Sequence, residues 1–387
     1  MTQGKARSKP TKAEAPLFSR LKRGDPGPWL LASDEPQARF LTLAHLSVGG
    51  EGGRSAARKA ALAAASADVR SHSATKRLLA MLPTKADEPA NVSGHNKPEL
   101  VTNVLDLLAE FGLTAGSEPR IARLLDQLLS HADADGRFQA YAVQRSGPAV
   151  WGCLACDTHA IADAAGRLGL ADDPRMRRAL DAAHADLIET DLGLAWGCPP
   201  DPTTGFRGPG RRGEPCPQAA LEALRAFSWL PLKQRPKRIS TVVHTVLEIW
   251  RQRGTRKPYM MGHGRQFKTV KWPPTWYGAY EIVDVLGRLP ETWRDSPGDR
   301  RSLAEIAACL LAYNVVADGT VTPQSAFQGW EWLSFGQKKV PSPLATAMVW
   351  TRLAAIEELA GEIAAVDVLA LSSSKGGKGT AMSPKIN

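Results

Sequence analysis

Cysteine is the residue type whose spacing in this chain carries the most chemistry. Four of the five cysteines fall between Trp151 and Gln218: Cys153, Cys156, Cys198 and Cys216. Cys153-x-x-Cys156 has the chelating spacing of a thiolate metal site, and Cys198 and Cys216 could supply the other half. Four sulfurs suit tetrahedral zinc, or an iron–sulfur cluster in its place. The wide gap between Cys198 and Cys216 departs from standard zinc motifs, and the same four positions suit small buried residues where helical hairpins pack. A closed site of four cysteines would be structural, with no open position for a substrate. Asp157 and His159 follow Cys156 directly. On a helix Cys156 and His159 share a face, and Asp157 does not. Asp157 and His159 are the candidates for catalytic acid–base work at a cavity mouth, while polar residues satisfied at a helix start would carry the same signature.

A second constellation lies between Gly262 and Tyr277. It gathers His263, Arg265, Lys268 and Lys271 beside Trp272, Trp276 and Tyr277. Cations beside aromatics suit a diphosphate with an apolar tail, because the cations hold phosphate and the rings hold hydrocarbon. They also suit single-stranded nucleic acid, through phosphate contacts and base stacking. A long loop laid on the fold with its basic residues exposed has the same composition. Arg207, Arg211 and Arg212 could add to the same basic rim. Trp151, Trp196 and Trp330 are expected to staple one hairpin to the next, and Trp272 and Trp276 to face a cavity.

The elements that would position these residues are helical. Ile121, Leu124, Leu125, Leu128 and Leu129 recur at i, i+3, i+4, i+7 and i+8, one face of an α-helix. Asp173-Pro174 starts another helix, with Asp as N-cap and Pro in the first turn. Further helical stretches lie at 36–46, 55–69, 103–113, 156–168, 217–230, 237–253, 277–289, 299–313 and 343–359. Gly112 and Gly169 are 57 positions apart, as are Gly136 and Gly193, and their neighbours match: Glu-Phe-Gly-Leu113 against Arg-Leu-Gly-Leu170. The chain is therefore read as helical hairpins repeating every 57–60 residues, clearest over 98–359. Such a unit cannot bury both faces alone, and stacking buries a continuous core. Strand-like alternation is scarce.

Composition bounds the rest. The net charge is +10, and part of the excess sits in the tails, in the first 23 residues and at Lys375, Lys378 and Lys385. That balance admits nucleic acid or a phosphorylated ligand as partner, or simply solvated basic tails. Residues 1–16 and 372–387 read as disordered tails around one domain at 17–371. Five cysteines in 387 residues make no disulfide scaffold. No signal-peptide core and no run of about 18 apolar residues is present, so a cytoplasmic protein with no membrane span is expected.

The hairpin period and the Asp-Gly-x-Phe/Trp punctuation resemble the prenyltransferase and squalene-oxidase repeat, the α/α toroid of terpenoid cyclases and protein prenyltransferase β-subunits. Pro28-Trp-Leu-Leu, Cys156-Asp-Thr-His-Ala, Pro215-Cys-Pro-Gln-Ala-Ala-Leu, Trp272-Pro-Pro-Thr-Trp-Tyr and Lys339-Val-Pro-Ser-Pro-Leu carry the resemblance over 28–357, closest to a bacterial group within that superfamily. It implies an all-α, α/α toroid and a prenyltransferase- or cyclase-like protein holding an apolar or isoprenoid-like, diphosphorylated ligand in a central cavity. The family's Asp-x-Asp-Asp acid, its Asp-Asp-x-x-Asp magnesium site and its prenyltransferase zinc set are all missing here, so fold does not carry activity across. The alternative is a non-enzymatic scaffold that uses the basic rim for nucleic acid or a protein partner. On either reading the cysteines clamp two repeats together, and the chemistry belongs to the loop from His263 to Tyr277 and the cavity beneath it.

Overall fold

A computed structural model describes residues 15–46, 56–87, 92, 97–142, 148–203, 205–208, 210, 212–255, 264–275 and 277–371. The described chain is mostly helical. Two short helices, α1 (Leu17–Arg20) and α2 (Gly27–Leu31), precede α3 (Pro36–His45), α4 (Ala56–Ser71) and α5 (Ser73–Met81). The paired helices follow: α6 (Val101–Glu110) with α7 (Pro119–Ser130), α8 (Ala155–Ala165) with α9 (Pro174–Ala185), and α10 (Pro217–Ser228) with α11 (Arg238–Arg251). After the short α12 (Arg265–Lys268) come α13 (Ala279–Gly287) with α14 (Pro297–Asn314), then α15 (Pro343–Ala354) and α16 (Ala360–Ala365). The helices expected from periodicity appear at their expected places. The stretch at Ser73–Met81 gave no signal of its own, because only His72 separates α5 from α4; the His72 imidazole accepts the Ala74 N–H at 3.3 Å and starts the new helix.

The start signals act through one device. Glu118, Asp173, Ser296 and Ser342 each cap a helix whose next residue is proline, with side-chain oxygens accepting a backbone N–H from inside the first turn. Proline there gives up an N–H that has no helical partner anyway. The stop signals are Gly112 and Gly169, which both take left-handed backbone, φ 81° and 97°.

The two helices of a pair differ in what they bury. In α7 the five apolar residues of the sequence stripe are buried, while Arg123 and Asp126 face solvent. In α10 every residue except Arg225 is buried, and in α13 every residue from Ala279 to Leu286. A helix buried all round has no solvent face to give away. These first helices contact one another in sequence: α6 packs on α8, α8 on α10, α10 on α13 and α13 on α15. Helix α15 in turn packs on α3, and α5 on α6. The second helices lie against this set, with α9 on α8 and α10, and α14 on α11 and α13.

Three two-stranded ribbons occur among the described residues. β1 (Ala140–Ala142) pairs antiparallel with β2 (Val150–Gly152), and β3 (Ile188–Thr190) with β4 (Gly193–Ala195); β5 (Lys271–Trp272) runs parallel to β6 (Ser325–Ala326). All lie in the connections between helices. Trp196, directly after β4, is buried and donates its indole N–H to the Ala183 carbonyl at 2.7 Å. Trp330 is also buried and donates to Glu99 at 3.2 Å, whereas Trp151 is half-buried and stacks on His131 with centroids 3.6 Å apart. All three therefore tie a connection to an earlier element. No described helix is long and apolar enough to cross a membrane.

Candidate functional site

The first helices bury charge as well as apolar surface. Between them lies a cavity of about 60 Å³, room for a few water molecules. Helices α6, α8, α10, α13 and α15 all reach its wall, and Pro273, Pro274 and Thr275 of the loop before α13 close part of it. The wall is mainly polar: Asp106, Glu110, Glu222, Glu281 and Asp284 against Arg167, Arg225 and Arg352, with Tyr280 among them.

Most of these groups are joined by ion pairs. Arg352 holds Glu110 through both terminal nitrogens, Nη2–Oε2 at 2.7 Å, and its Nε lies 3.2 Å from Asp284. Arg167 also donates to Glu110. Arg225 joins Asp163 at 2.6 Å to Glu281 at 2.7 Å. Arg288 sits 3.1 Å from Asp284. Asp163 further accepts the Trp229 indole N–H at 2.7 Å, and Gln218 donates to Glu222 at 2.8 Å.

The wall and its immediate partners hold six carboxyls, including Asp106 and Asp163, and four guanidiniums, those of Arg167, Arg225, Arg288 and Arg352. Buried charge is tolerated when it is paired, so an excess of acids favours retained protons. The acids divide accordingly. Burial opposes ionisation of Glu110, but Arg352 and Arg167 overcome it and hold its pKa at about 2. Asp284 is likewise held low against its burial, by Arg288 and Arg352. Glu281 is raised by burial, with Arg225 only partly compensating. Asp106 is raised to about 8, by burial first and then by the charge of Asp163. Its Oδ1 has no hydrogen-bond partner among the described residues, and neither has the Tyr280 hydroxyl. Burial pushes the Tyr280 phenol well above its ordinary value, so it stays neutral. Asp106 is only half-buried despite its depth, because it opens onto the cavity. Two neutral proton donors thus stand in the wall at pH 7.

This site was not singled out from the sequence, although a signal for it is there. Asp106, Asp163, Glu222 and Glu281 recur at spacings of 57, 59 and 59, one in each of α6, α8, α10 and α13. Each sits inside an otherwise apolar stretch, where an acid has no reason to be unless its helix faces a polar interior.

The residues expected to act lie elsewhere. His159 is buried; its Nδ1–H donates to the Ala219 carbonyl at 3.0 Å, its ring meets Trp196 edge-on, and burial lowers its pKa. It is a neutral packing histidine between α8 and α10. Asp157 stands in the first turn of α8, where a carboxylate complements the helix dipole, and does not line the cavity.

The four cysteines do not come together. Cys153 turns its thiol to Asp133, the Phe138 carbonyl and Thr158, and burial pushes it up to about 12. Its backbone N–H is taken by Asp201. Cys198 and Cys216 are hydrogen-bonded to each other, with Cys156 close enough to feel the charge of Cys198. Among the described residues no group of three or more His, Cys, Asp or Glu is arranged to hold a metal.

The basic loop is also spread out. Trp272 is buried, stacked on Phe335 and edge-on to Tyr280. Tyr277 is buried, and its backbone N–H donates to Gln218. Lys268 turns toward α14, where Nζ lies 3.4 Å from the Tyr313 hydroxyl. Lys271 is exposed over Phe327, and Arg265 is exposed and meets Gln324 at 3.3 Å. His263 and Trp276 lie outside the described residues. The loop does reach the cavity, through its prolines rather than its cations. A scan against protein-family models, a search of curated proteins and a search of solved structures found no match to this chain.

Proposed function

We propose that this chain is an α/α toroid whose central cavity binds a small hydroxyl- or carbonyl-bearing molecule, or the end of one, and passes a proton to it from Asp106. Three features support the toroid: the sequential contact of the first helices, the packing of α15 on α3, and the grip of Arg352 in α15 on Glu110 in α6 across 242 positions. One observation carries the acid role. Asp106 is a carboxyl that keeps its proton to about pH 8, has an unpartnered oxygen and faces open space. A general acid works best when its pKa lies near the working pH. Tyr280 is a second neutral donor in the same wall. Acid chemistry in the middle of a toroid keeps a link with the cyclases that the repeat resembles. The polar wall favours an oxygen-bearing ligand over a prenyl chain, since Leu107, Ala160 and Met348 offer little apolar surface.

A thermal-shift panel tests this. Small alcohols, aldehydes, ketones and hydroxy acids are compared with a prenyl diphosphate and a single-stranded oligonucleotide, on wild type and Asp106→Asn. Stabilisation by an oxygen-bearing compound in wild type, lost in the variant, is the expected result. Stabilisation by the prenyl diphosphate alone, unchanged in the variant, restores the isoprenoid reading. Stabilisation by the oligonucleotide alone, steeply salt-dependent, favours the scaffold with a basic rim.

A further inference from the structure

The cysteine pair at the start of α10 has a construction that neither packing nor the central cavity explains. Cys198 is half-buried and Cys216 buried, and their sulfurs share a hydrogen bond. The backbone of Gly208 and Gly210 donates to the Cys198 sulfur, and the Arg207 guanidinium adds positive charge beside it. Arg207 is held there by its own bonds to the Cys198 carbonyl at 3.2 Å and the Gly210 carbonyl at 2.8 Å. The two glycines are required by the close approach. A Cβ at Gly210 would stand 2.4 Å from Cys198 Cβ, and one at Gly208 would stand 2.8 Å from its sulfur. The chain has thus been folded tightly around one sulfur, with donors on several sides and a second thiol in contact.

We propose that Cys198 and Cys216 form an oxidisable dithiol site, in which Cys198 reduces a hydroperoxide and Cys216 closes the disulfide. Hydrogen bonds and a cation directed at a sulfur favour its thiolate. The Cys198 thiolate is accordingly favoured at about 6, chiefly by the Cys216 hydrogen bond, while Cys216 is raised and keeps the proton. In the first step the Cys198 thiolate attacks the terminal oxygen of the hydroperoxide. The O–O bond breaks, Cys198 becomes a sulfenic acid, and the departing alkoxide takes a proton from solvent to leave as the alcohol. In the second step the Cys216 sulfur attacks the Cys198 sulfur. The S–O bond breaks, and the departing hydroxide takes the Cys216 proton to leave as water. The two thiols give up two electrons and the hydroperoxide accepts them. The disulfide encloses residues 199–215 and pins that loop to Cys216, the N-cap of α10. Cys156 lies nearby, but burial raises it well above its ordinary range, and it remains a thiol.

The full-length protein is treated with one equivalent of hydrogen peroxide, and its free thiols are then alkylated and mapped. Two of the five thiols are expected to disappear, with a peptide cross-linked between Cys198 and Cys216. Cys216→Ala, which also removes the main hydrogen bond to the thiolate, is expected to react more slowly and to stop at the sulfenic acid, captured on Cys198 by dimedone, and Cys198→Ala to lose both products. Circular dichroism checks each variant's fold, and the wild-type cross-link map decides the pairing if a variant does not fold. Before oxidation Cys198 should alkylate more than about tenfold faster at pH 7 than the buried Cys309. A cross-link elsewhere, equal rates at Cys198 and Cys309, or a stoichiometric metal that shields Cys198 and Cys216 from alkylation would overturn the proposal.

Discussion

Replacing Asp106 with Asn should flatten the pH dependence of stability between pH 5 and 8. In the folded chain Asp106 holds its proton up to about pH 8, while its ordinary value is 3.8. A raised folded pKa means that the folded state binds the proton more tightly. The contribution is fully present below pH 3.8 and is lost as pH rises through about 8. Each pH unit in that window costs about 1.4 kcal/mol. From pH 5 to pH 8 the ceiling is therefore roughly 4 kcal/mol, and because Asp163 and Glu281 share the same field the expected loss is about 2–4 kcal/mol. Asn has the shape of the protonated acid and cannot ionise, so the variant lacks this loss. The comparison is made by urea unfolding of both proteins at pH 5, 6, 7 and 8. What is read is the difference in slope against pH, because groups common to both proteins cancel and a general loss of packing moves the whole curve without tilting it. Parallel curves would show that Asp106 is ionised in the folded chain, and the assignment of a neutral donor to the cavity would fall with them.

Arg352→Met should cost about 3–5 kcal/mol in urea unfolding, because it leaves Glu110 and Asp284 buried with a partner missing; adding Glu110→Gln should recover part of that loss, and a double variant no better than the single one would refute the pairing. Gly112→Ala and Gly169→Ala both force a left-handed backbone on alanine, at roughly 1 kcal/mol each. Gly112→Ala should cost clearly more in denaturant midpoint, since its Cβ would lie 2.3 Å from the Phe40 ring whereas nothing lies within 4 Å at Gly169. Equal costs would show that Phe40 moves aside freely.

Local signals located most of the helices because their causes are local. A five-residue apolar stripe, a capping residue before proline and a glycine at the end act within a few turns, and α7 and α9 form where these signs lie. Trp151 and Trp196 staple as expected, each ring meeting the helix pair just before it, whereas Trp330 bonds Glu99 across 231 positions. The site was harder to read. The loop from His263 to Tyr277 drew attention through composition, but composition does not say which way a side chain turns. Trp272 is drawn into the core by Phe335 and Tyr280, and Lys268 follows the Tyr313 ring toward α14.

From the sequence alone come the helical class, the hairpin period near 57 residues, the helix ends and the position of Cys216 at a helix start. All of these follow from forces that act between near neighbours in the chain. The tertiary structure decided the cavity wall, because Glu110 and Arg352 meet across 242 positions and only folding brings them together. It also gave the Cys153 thiol partners of its own, Asp133, the Phe138 carbonyl and Thr158, rather than the other cysteines. The proton on Asp106 was decided there as well: a carboxyl that reads as ordinary in α6 becomes a neutral donor once burial, Asp163 and Glu281 oppose its charge.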